Sequence, residues 1–295
     1  MVKEIEELEK IKHIIEQPTN FLLQQQTLLP LLTQLKILSR NENHRQNMGE
    51  KVIASLICHI SDQESGTKVQ AEGANVILNL CYEKENVINV LNCGGASTLV
   101  EFISSNDEKL QANAAGALQS ICFQPEGRKM VRNLGAISPL VDLLSAGSIN
   151  VKARAVGCLH NISSDVDAIR TIRRKGGIKW LIKLLQSSQP SVCGSAAGAL
   201  QNVSREVASR MIIKESDAIS SLINLLTSSE VQTQICAAGA LLNVLGPELC
   251  DENAPTKASI QHRRAFVKTI TATLVASILQ NTCFTKEAKR IIFQI

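Results

Sequence analysis

Four asparagine side chains recur at a fixed spacing, and their amide groups could bind a peptide backbone. Asn161, Asn202 and Asn243 are 41 residues apart, and Asn79 lies two such intervals before Asn161. The position between Asn79 and Asn161 is Ser120. A primary amide carries two N–H donors and one acceptor oxygen, which complement the C=O and N–H of one peptide unit. A row of such amides could pair with an extended peptide whatever its side chains. Alternatively, each amide could bond the backbone of a neighbouring helix and only hold the protein together.

Charged residues are predicted on the same side as the asparagines. At about 100° of rotation per helical residue, positions seven and eleven before each asparagine share its face. Three of these positions are cationic, Lys68, Lys109 and Arg154, and Glu72 lies among them. This balance favours an acidic, extended partner. The candidate binding residues are therefore Asn79, Ser120, Asn161, Asn202, Asn243, Glu72, Asn113, Lys109 and Arg154.

No pattern typical of an enzyme or a metal site occurs in the sequence. The HExxH, GxxxxGK[ST], GxSxG and GxGxxG motifs are absent, and the five histidines are scattered without ligand spacing. Catalysis requires polar groups that converge within hydrogen-bonding distance. We expect no catalytic residues, no metal ion and no cofactor.

Composition narrows the function classes further. The net charge of +4 is too small to favour nucleic acid as a partner. Nine cysteines are spread without a CxxC pair, and several, such as Cys81, Cys122 and Cys158, lie inside apolar runs. Such thiols usually act as small buried hydrophobes in a reducing compartment, which indicates the cytoplasm and, as a second location, the nucleus. No apolar stretch is long enough to span a bilayer.

The sequence segments that carry these residues form an internal repeat. "AAGALQS", "AVGCLHN", "AAGALQN" and "AAGALLN" begin at 114, 155, 196 and 237. A period of roughly 40–47 residues is typical of stacked helical repeats. Each unit reads as a short, a medium and a long helix, and no stretch alternates as a strand does, so we predict an all-α fold. On the long helices the side opposite the asparagines is apolar and should be buried: Leu118, Leu159, Leu200, Leu241, Ile121, Ile162, Val203 and Val244.

The helix written GG(A/I)xxLVxLL, followed by AxGALxN, resembles the armadillo repeat from about Glu50 to Leu245. The resemblance implies a right-handed superhelical solenoid with three helices per ~41-residue repeat, whose asparagine row lines a concave groove that holds extended segments. We expect an N-terminal helical cap and divergent repeat at 1–48, regular repeats at 49–245, a loop at 246–263 and C-terminal capping helices at 264–295.

The position four before the asparagine separates subfamilies. In importin-α it usually carries tryptophan, whereas here it holds Asn75, Gly116, Gly157, Gly198 and Gly239. The chain therefore resembles plakophilin-type and vacuolar armadillo scaffolds more than importin-α. We expect a scaffold or adaptor that binds an extended protein segment. The alternatives are a karyopherin-like nuclear transport adaptor and the armadillo part of a larger multidomain protein.

Overall fold

The computed structural model describes residues 2–16 and 25–249, and all regular secondary structure within these ranges is helical. The chain divides into two compact units, Met1–Lys175 and Gly176–Ile295. The helices predicted at 264–295 lie outside the described residues.

The first unit, called unit 1, contains twelve of the described α-helices and two short 3₁₀ helices at Gln63–Ser65 and Leu143–Ser145. In chain order the α-helices are α1 (Val2–Ile15), α2 (Gln25–Leu38), α3 (Glu42–Gln46), α4 (Glu50–Ser61), α5 (Thr67–Leu80), α6 (Lys84–Asn92), α7 (Gly95–Phe102), α8 (Glu108–Ile121), α9 (Pro125–Asn133), α10 (Ile137–Asp142), α11 (Ile149–Ile162) and α12 (Val166–Arg174).

The second unit, called unit 2, contains the five remaining described helices. They are α13 (Gly177–Leu184), α14 (Pro190–Val203), α15 (Val207–Lys214), α16 (Ala218–Leu225) and α17 (Val231–Leu249).

Three helices per unit, with the long helix last, are confirmed, but the helices predicted as short and medium do not differ in length in that order. In the unit that begins near Glu126, α9 has nine residues, α10 has six and continues as a 3₁₀ turn, and α11 has fourteen. Gly135 separates α9 from α10 at φ +78°, a left-handed conformation that side chains disfavour and glycine adopts freely. Pro139 lies in the first turn of α10, where no helical N–H is lost.

The long helices bury their apolar stripe as predicted. Within unit 1 the long helices α2, α5, α8 and α11 pack in chain order, and within unit 2 α14 packs against α17. All eight predicted stripe residues are at most 1% exposed. Full burial of each such side chain contributes about 1.5–3 kcal/mol, so the stripe fixes which side of each long helix is left for solvent or a partner.

The two ends depart from the regular repeat. Residues 1–48 contain α1, α2 and α3, of which α3 has only five residues. At the other end α17 runs to Leu249, four residues into the segment predicted as a loop. The predicted end at Gly246 and Pro247 was too early, because a proline removes one hydrogen bond and does not by itself terminate a long helix. The rest of that segment lies outside the described residues.

Candidate partner-binding face

In each unit, the asparagine face is the side of the long helices opposite the buried stripe. In unit 1 it carries Asn79 on α5, Ser120 on α8 and Asn161 on α11, and in unit 2 it carries Asn202 on α14 and Asn243 on α17. The four asparagines are half-buried, while Ser120 is 7% exposed. The four asparagine side chains are therefore neither fully buried in the apolar interior nor fully exposed to solvent.

One N–H of Asn161 caps the preceding long helix. Asn161 Nδ2 donates to the carbonyl of Gln119, 42 residues earlier, at 2.9 Å. The last carbonyls of a helix have no intrahelical donor. The backbone amides that follow α8 donate to the carbonyls on either side of Gln119 and bypass it. The asparagine amide thus satisfies a carbonyl that the helix itself leaves unbonded.

The same bond recurs between other long helices. Asn79 Nδ2 donates to the carbonyl of Lys36 at 3.1 Å, and Asn243 Nδ2 donates to that of Gln201 at 3.1 Å. In each case the acceptor is the third residue from the end of the preceding long helix. Part of the asparagine signal is therefore structural, which is one of the two alternatives that the sequence leaves open.

The second N–H of the amide distinguishes Asn161 from the other two. Asn79 Nδ2 also donates to Ser39 Oγ, and Asn243 Nδ2 also donates to Ser204 Oγ, both at 3.0 Å. The residue at the equivalent place before Asn161 is Cys122, which accepts no such bond. Within the described residues, Asn161 therefore keeps one N–H and its amide oxygen available.

Ser120 leaves a gap in the amide row, and Asn113 bonds in its place two turns earlier. Asn113 Nδ2 donates to the carbonyl of Ala71, again 42 residues earlier, at 2.8 Å. Its amide oxygen accepts from Asn75 Nδ2 at 3.0 Å. Asn75 replaces the glycine found at this position in later repeats, so the α5–α8 pair is joined by amides that bond each other.

Glu72 is a nearly buried carboxylate between two lysines. Its side chain is 8% exposed; Lys36 Nζ on α2 donates to Oε2 at 2.5 Å, and Lys109 Nζ on α8 donates to Oε1. Lys36 is 20% exposed and Lys109 is 63% exposed. Three consecutive long helices of unit 1 thus each contribute one charged group to this bridge.

The lysines keep Glu72 ionised. Burial by itself raises the pKa of this carboxyl group, but hydrogen bonds from Lys109 and Lys36, together with their charges, outweigh it. The resulting pKa lies below the ordinary value of 4.5. At neutral pH the face carries a fixed negative charge that two cations share.

In three repeats the residue before the asparagine position, which holds Asn79, Ser120 or Asn202, covers the glycine of the next long helix, a contact not predicted from the sequence. A Cβ added to Gly157 would overlap the side-chain amide of Gln119, and one added to Gly239 would overlap that of Gln201. Gly116 is covered by Leu78 and by Arg154, whose Cδ would lie 3.3 Å from such a Cβ. The two copies of "GALQ", at 116 and 198, are two repeat intervals apart and could have indicated this contact, since glutamine and glycine recur together.

Several polar groups on the face of unit 1 make no hydrogen bond or ion pair with any described residue. Arg154 and Lys68 are exposed cations of this kind, and the Gln119 amide is half-buried above Gly157. In unit 2 the position equivalent to Arg154 is Ser195, so that face lacks the corresponding charge. Arg154, Gln119 and Asn161 lie on the adjacent helices α8 and α11.

We also searched the part of the chain that the structure describes for metal-binding clusters, membrane-spanning helices and reactive cysteines. Over residues 2–16 and 25–249, no three His, Cys, Asp or Glu side chains are grouped so as to hold a metal ion. None of the helices there is both long and apolar enough to cross a membrane. Cys81, Cys122 and Cys158 are buried free thiols, and burial raises the pKa of Cys81 to about 12.

Three of the repeats match a known family model. The family model described as Armadillo/beta-catenin-like repeat matches residues 83–123, 124–164 and 165–205. The three matches are contiguous and each is 41 residues long, which is the period of the glycines and asparagines. No curated protein matches the chain.

Solved structures show the same fold over most of the chain. The crystal structure of an engineered protein is 26% identical, with a TM-score of 0.73 over 80% of this chain and 97% of the other. A designed armadillo repeat protein is 24% identical, with a TM-score of 0.72 over 80% of this chain and 99% of the other. A second designed armadillo repeat protein, in complex with the peptide (KR)4, is 24% identical, with a TM-score of 0.68 over 80% and 99%. The chain folds as a solenoid of these repeats.

Proposed function

Because residues 83–205 match the armadillo/beta-catenin-like repeat and the chain folds like designed armadillo repeat proteins, we propose that it is a protein-interaction scaffold that binds an extended segment of a partner along the asparagine face. The designed armadillo repeat protein in complex with (KR)4 illustrates how a peptide can occupy this fold. Main-chain hydrogen bonds would provide affinity, and side chains that vary between repeats would select the partner.

The observation that carries the proposal is the state of the Asn161 amide. One of its N–H groups caps α8, while the other N–H and the oxygen have no partner among the described residues. These are the two groups needed to pair with the C=O and N–H of one peptide unit. Asn161 can therefore bind a backbone without giving up its structural bond.

The cations around this amide support an acidic partner. Arg154 and Lys68 are exposed and unpaired among the described residues, and Lys109 is 63% exposed. Glu72 is their one acidic neighbour on the predicted face, and Lys36 also neutralises it. An extended segment with carboxylate or phosphate groups would complement this charge. Its long-range electrostatic attraction to the face would be strongest at low salt.

The glycine positions favour a scaffold over a nuclear transport adaptor. Gln119 and Leu78 cover Gly157 and Gly116, where importin-α carries tryptophans that hold lysine stems. Without aromatic walls, cation–π contributions of about 0.5–2 kcal/mol per site are missing. A plakophilin-type or vacuolar scaffold role, in the cytoplasm or nucleus where the buried thiols stay reduced, agrees with these features.

The test is a fluorescence anisotropy titration of the full chain with a peptide of alternating glutamate and serine. In the double variant Asn161→Ala with Asn202→Ala we expect affinity to fall about tenfold or more, since the two bonds that the Asn161 amide can make to the peptide contribute about 1 kcal/mol each. Helicity by circular dichroism should be retained. The control is Asn92→Ala with Asn224→Ala, which removes two exposed amides from α6 and α16 and should leave affinity unchanged.

Two results would overturn the proposal. One is unchanged peptide affinity in the double variant together with a sharp drop in melting temperature, which would leave the asparagines a structural role alone. The other is tight binding of a lysine-rich import peptide and none of the acidic peptide, which would favour the karyopherin-like alternative.

A further inference from the structure

Glu72 lies on the path proposed for the partner. It precedes Asn79 by seven residues on α5, two turns or about 10.5 Å along the same face. Its carboxylate is bonded to Lys36 and Lys109 from the two flanking long helices. A carboxylate is also the group that an acidic partner would present to these lysines.

We propose that Glu72 is an internal competitor of the acidic ligand: its carboxylate occupies the Lys36–Lys109 pair, and an acidic side chain of the partner binds by taking Lys109 from it. This inference rests on the proposed function and adds a residue that sets how acidic the partner must be.

The two halves of the bridge differ in how easily they can be exchanged. Lys36 is 20% exposed and donates to Oε2 within the packed interface of α2 and α5. Lys109 is 63% exposed, and Glu72 is the acceptor of its ion pair. Exposed ion pairs contribute little because water and salt screen them. Lys109 can therefore turn to a ligand while Lys36 keeps the buried carboxylate paired.

Displacement has a consequence for selectivity. A ligand carboxylate gains Lys109 only by replacing an equivalent group, so the net gain from one carboxylate is small. A segment that also reaches Arg154, which has no partner among the described residues, gains a contact without displacing one. The arrangement selects segments with several anionic groups over segments with one.

The test compares the 295-residue chain with its Glu72→Gln variant, using the labelled glutamate–serine peptide and a matched peptide with glutamine in place of glutamate. The variant should bind the acidic peptide about two- to fivefold more tightly at low salt, the factor that corresponds to an exposed ion pair of up to about 1 kcal/mol. The gain should vanish at high salt, and affinity for the glutamine peptide should not change. The control is Glu101→Gln on α7, which alters net charge equally at an exposed residue that forms no ion pair with either lysine.

A second variant separates competition from a loss of stability. In Glu72→Gln with Lys109→Gln the gain should disappear, because the freed lysine is gone. The inference would be overturned if Glu72→Gln bound the acidic peptide no more tightly than the wild type, or if Glu101→Gln gained as much affinity. The proposed function would still stand in either case, provided that the wild type binds the peptide. Failure of the wild type to bind any peptide would overturn both.

Discussion

Two pairs of long helices, α8 with α11 in unit 1 and α14 with α17 in unit 2, are built on the same plan and differ in the hydrogen bonds made by one residue. In both, an asparagine donates to the third carbonyl from the end of the preceding helix. In both, a glutamine covers a glycine. Ser204 Oγ accepts the second N–H of Asn243, whereas that of Asn161, beside Cys122, has no partner among the described residues.

An asparagine of this row is therefore available to a ligand only when no neighbouring hydroxyl accepts its second N–H. The hydroxyl of Ser204 also donates to the carbonyl of Gln201 at 2.8 Å, so three groups of unit 2 satisfy one another. The α8–α11 pair lacks this closed set and adds the cation Arg154. We therefore expect partner binding to centre on Asn161, and three predictions test the contrast.

The largest expected effect is on stability. Asn161→Ala should lower the free energy of unfolding by about 1–2 kcal/mol, because the Gln119 carbonyl loses its donor. Asn243→Ala should cost about half as much or less, since Ser204 still donates to the Gln201 carbonyl. Urea denaturation followed by circular dichroism measures both. A larger loss in Asn243→Ala would contradict the hydrogen-bond assignment.

A middle-sized effect is expected when the second N–H of Asn161 receives a partner. Cys122→Ser introduces the hydroxyl that Ser204 supplies in unit 2, and affinity for the glutamate–serine peptide should fall about three- to tenfold, the equivalent of one hydrogen bond. The measurement is the anisotropy titration used for the double asparagine variant.

Cys81→Ser is the matched control for Cys122→Ser. Cys81 is also buried, but the long helix that follows it carries Ser120 in place of an asparagine. The same exchange of thiol for hydroxyl should therefore leave peptide affinity unchanged. Equal losses in Cys81→Ser and Cys122→Ser would show that the hydroxyl acts through the buried interior and not through the Asn161 amide.

The smallest effect concerns charge. Arg154→Ser copies Ser195 of unit 2 onto the face of unit 1, and affinity for the acidic peptide should fall about two- to fivefold at low salt. Titrations at low and high ionic strength should converge for wild type and variant, because screening removes the contribution of an exposed cation. Lys129→Gln on α9 is the control, since it removes an exposed charge from a short helix. If the loss of peptide affinity persisted at high salt, Arg154 would contribute through packing and not through electrostatic attraction of the acidic peptide.

The amino-acid sequence by itself determined the repeat, the helices and the two sides of each long helix. A 41-residue spacing, helical periodicity and the glycine at 135 are local signals, and the apolar stripe is buried where they predict. The predicted end of α17 was wrong because Pro247 weakens the helix only locally, whereas the stability of the whole helix determines whether it continues past the proline.

Only the tertiary structure decided which polar groups on the asparagine face are already used. Whether Asn161 keeps a free N–H depends on Cys122, 39 positions earlier on another helix, and whether Glu72 is a free charge depends on Lys36 and Lys109. Helical periodicity gives the direction of each side chain but not the distance to its neighbours. Hydrogen bonds require atoms within about 3 Å, and that distance is set by how the long helices pack.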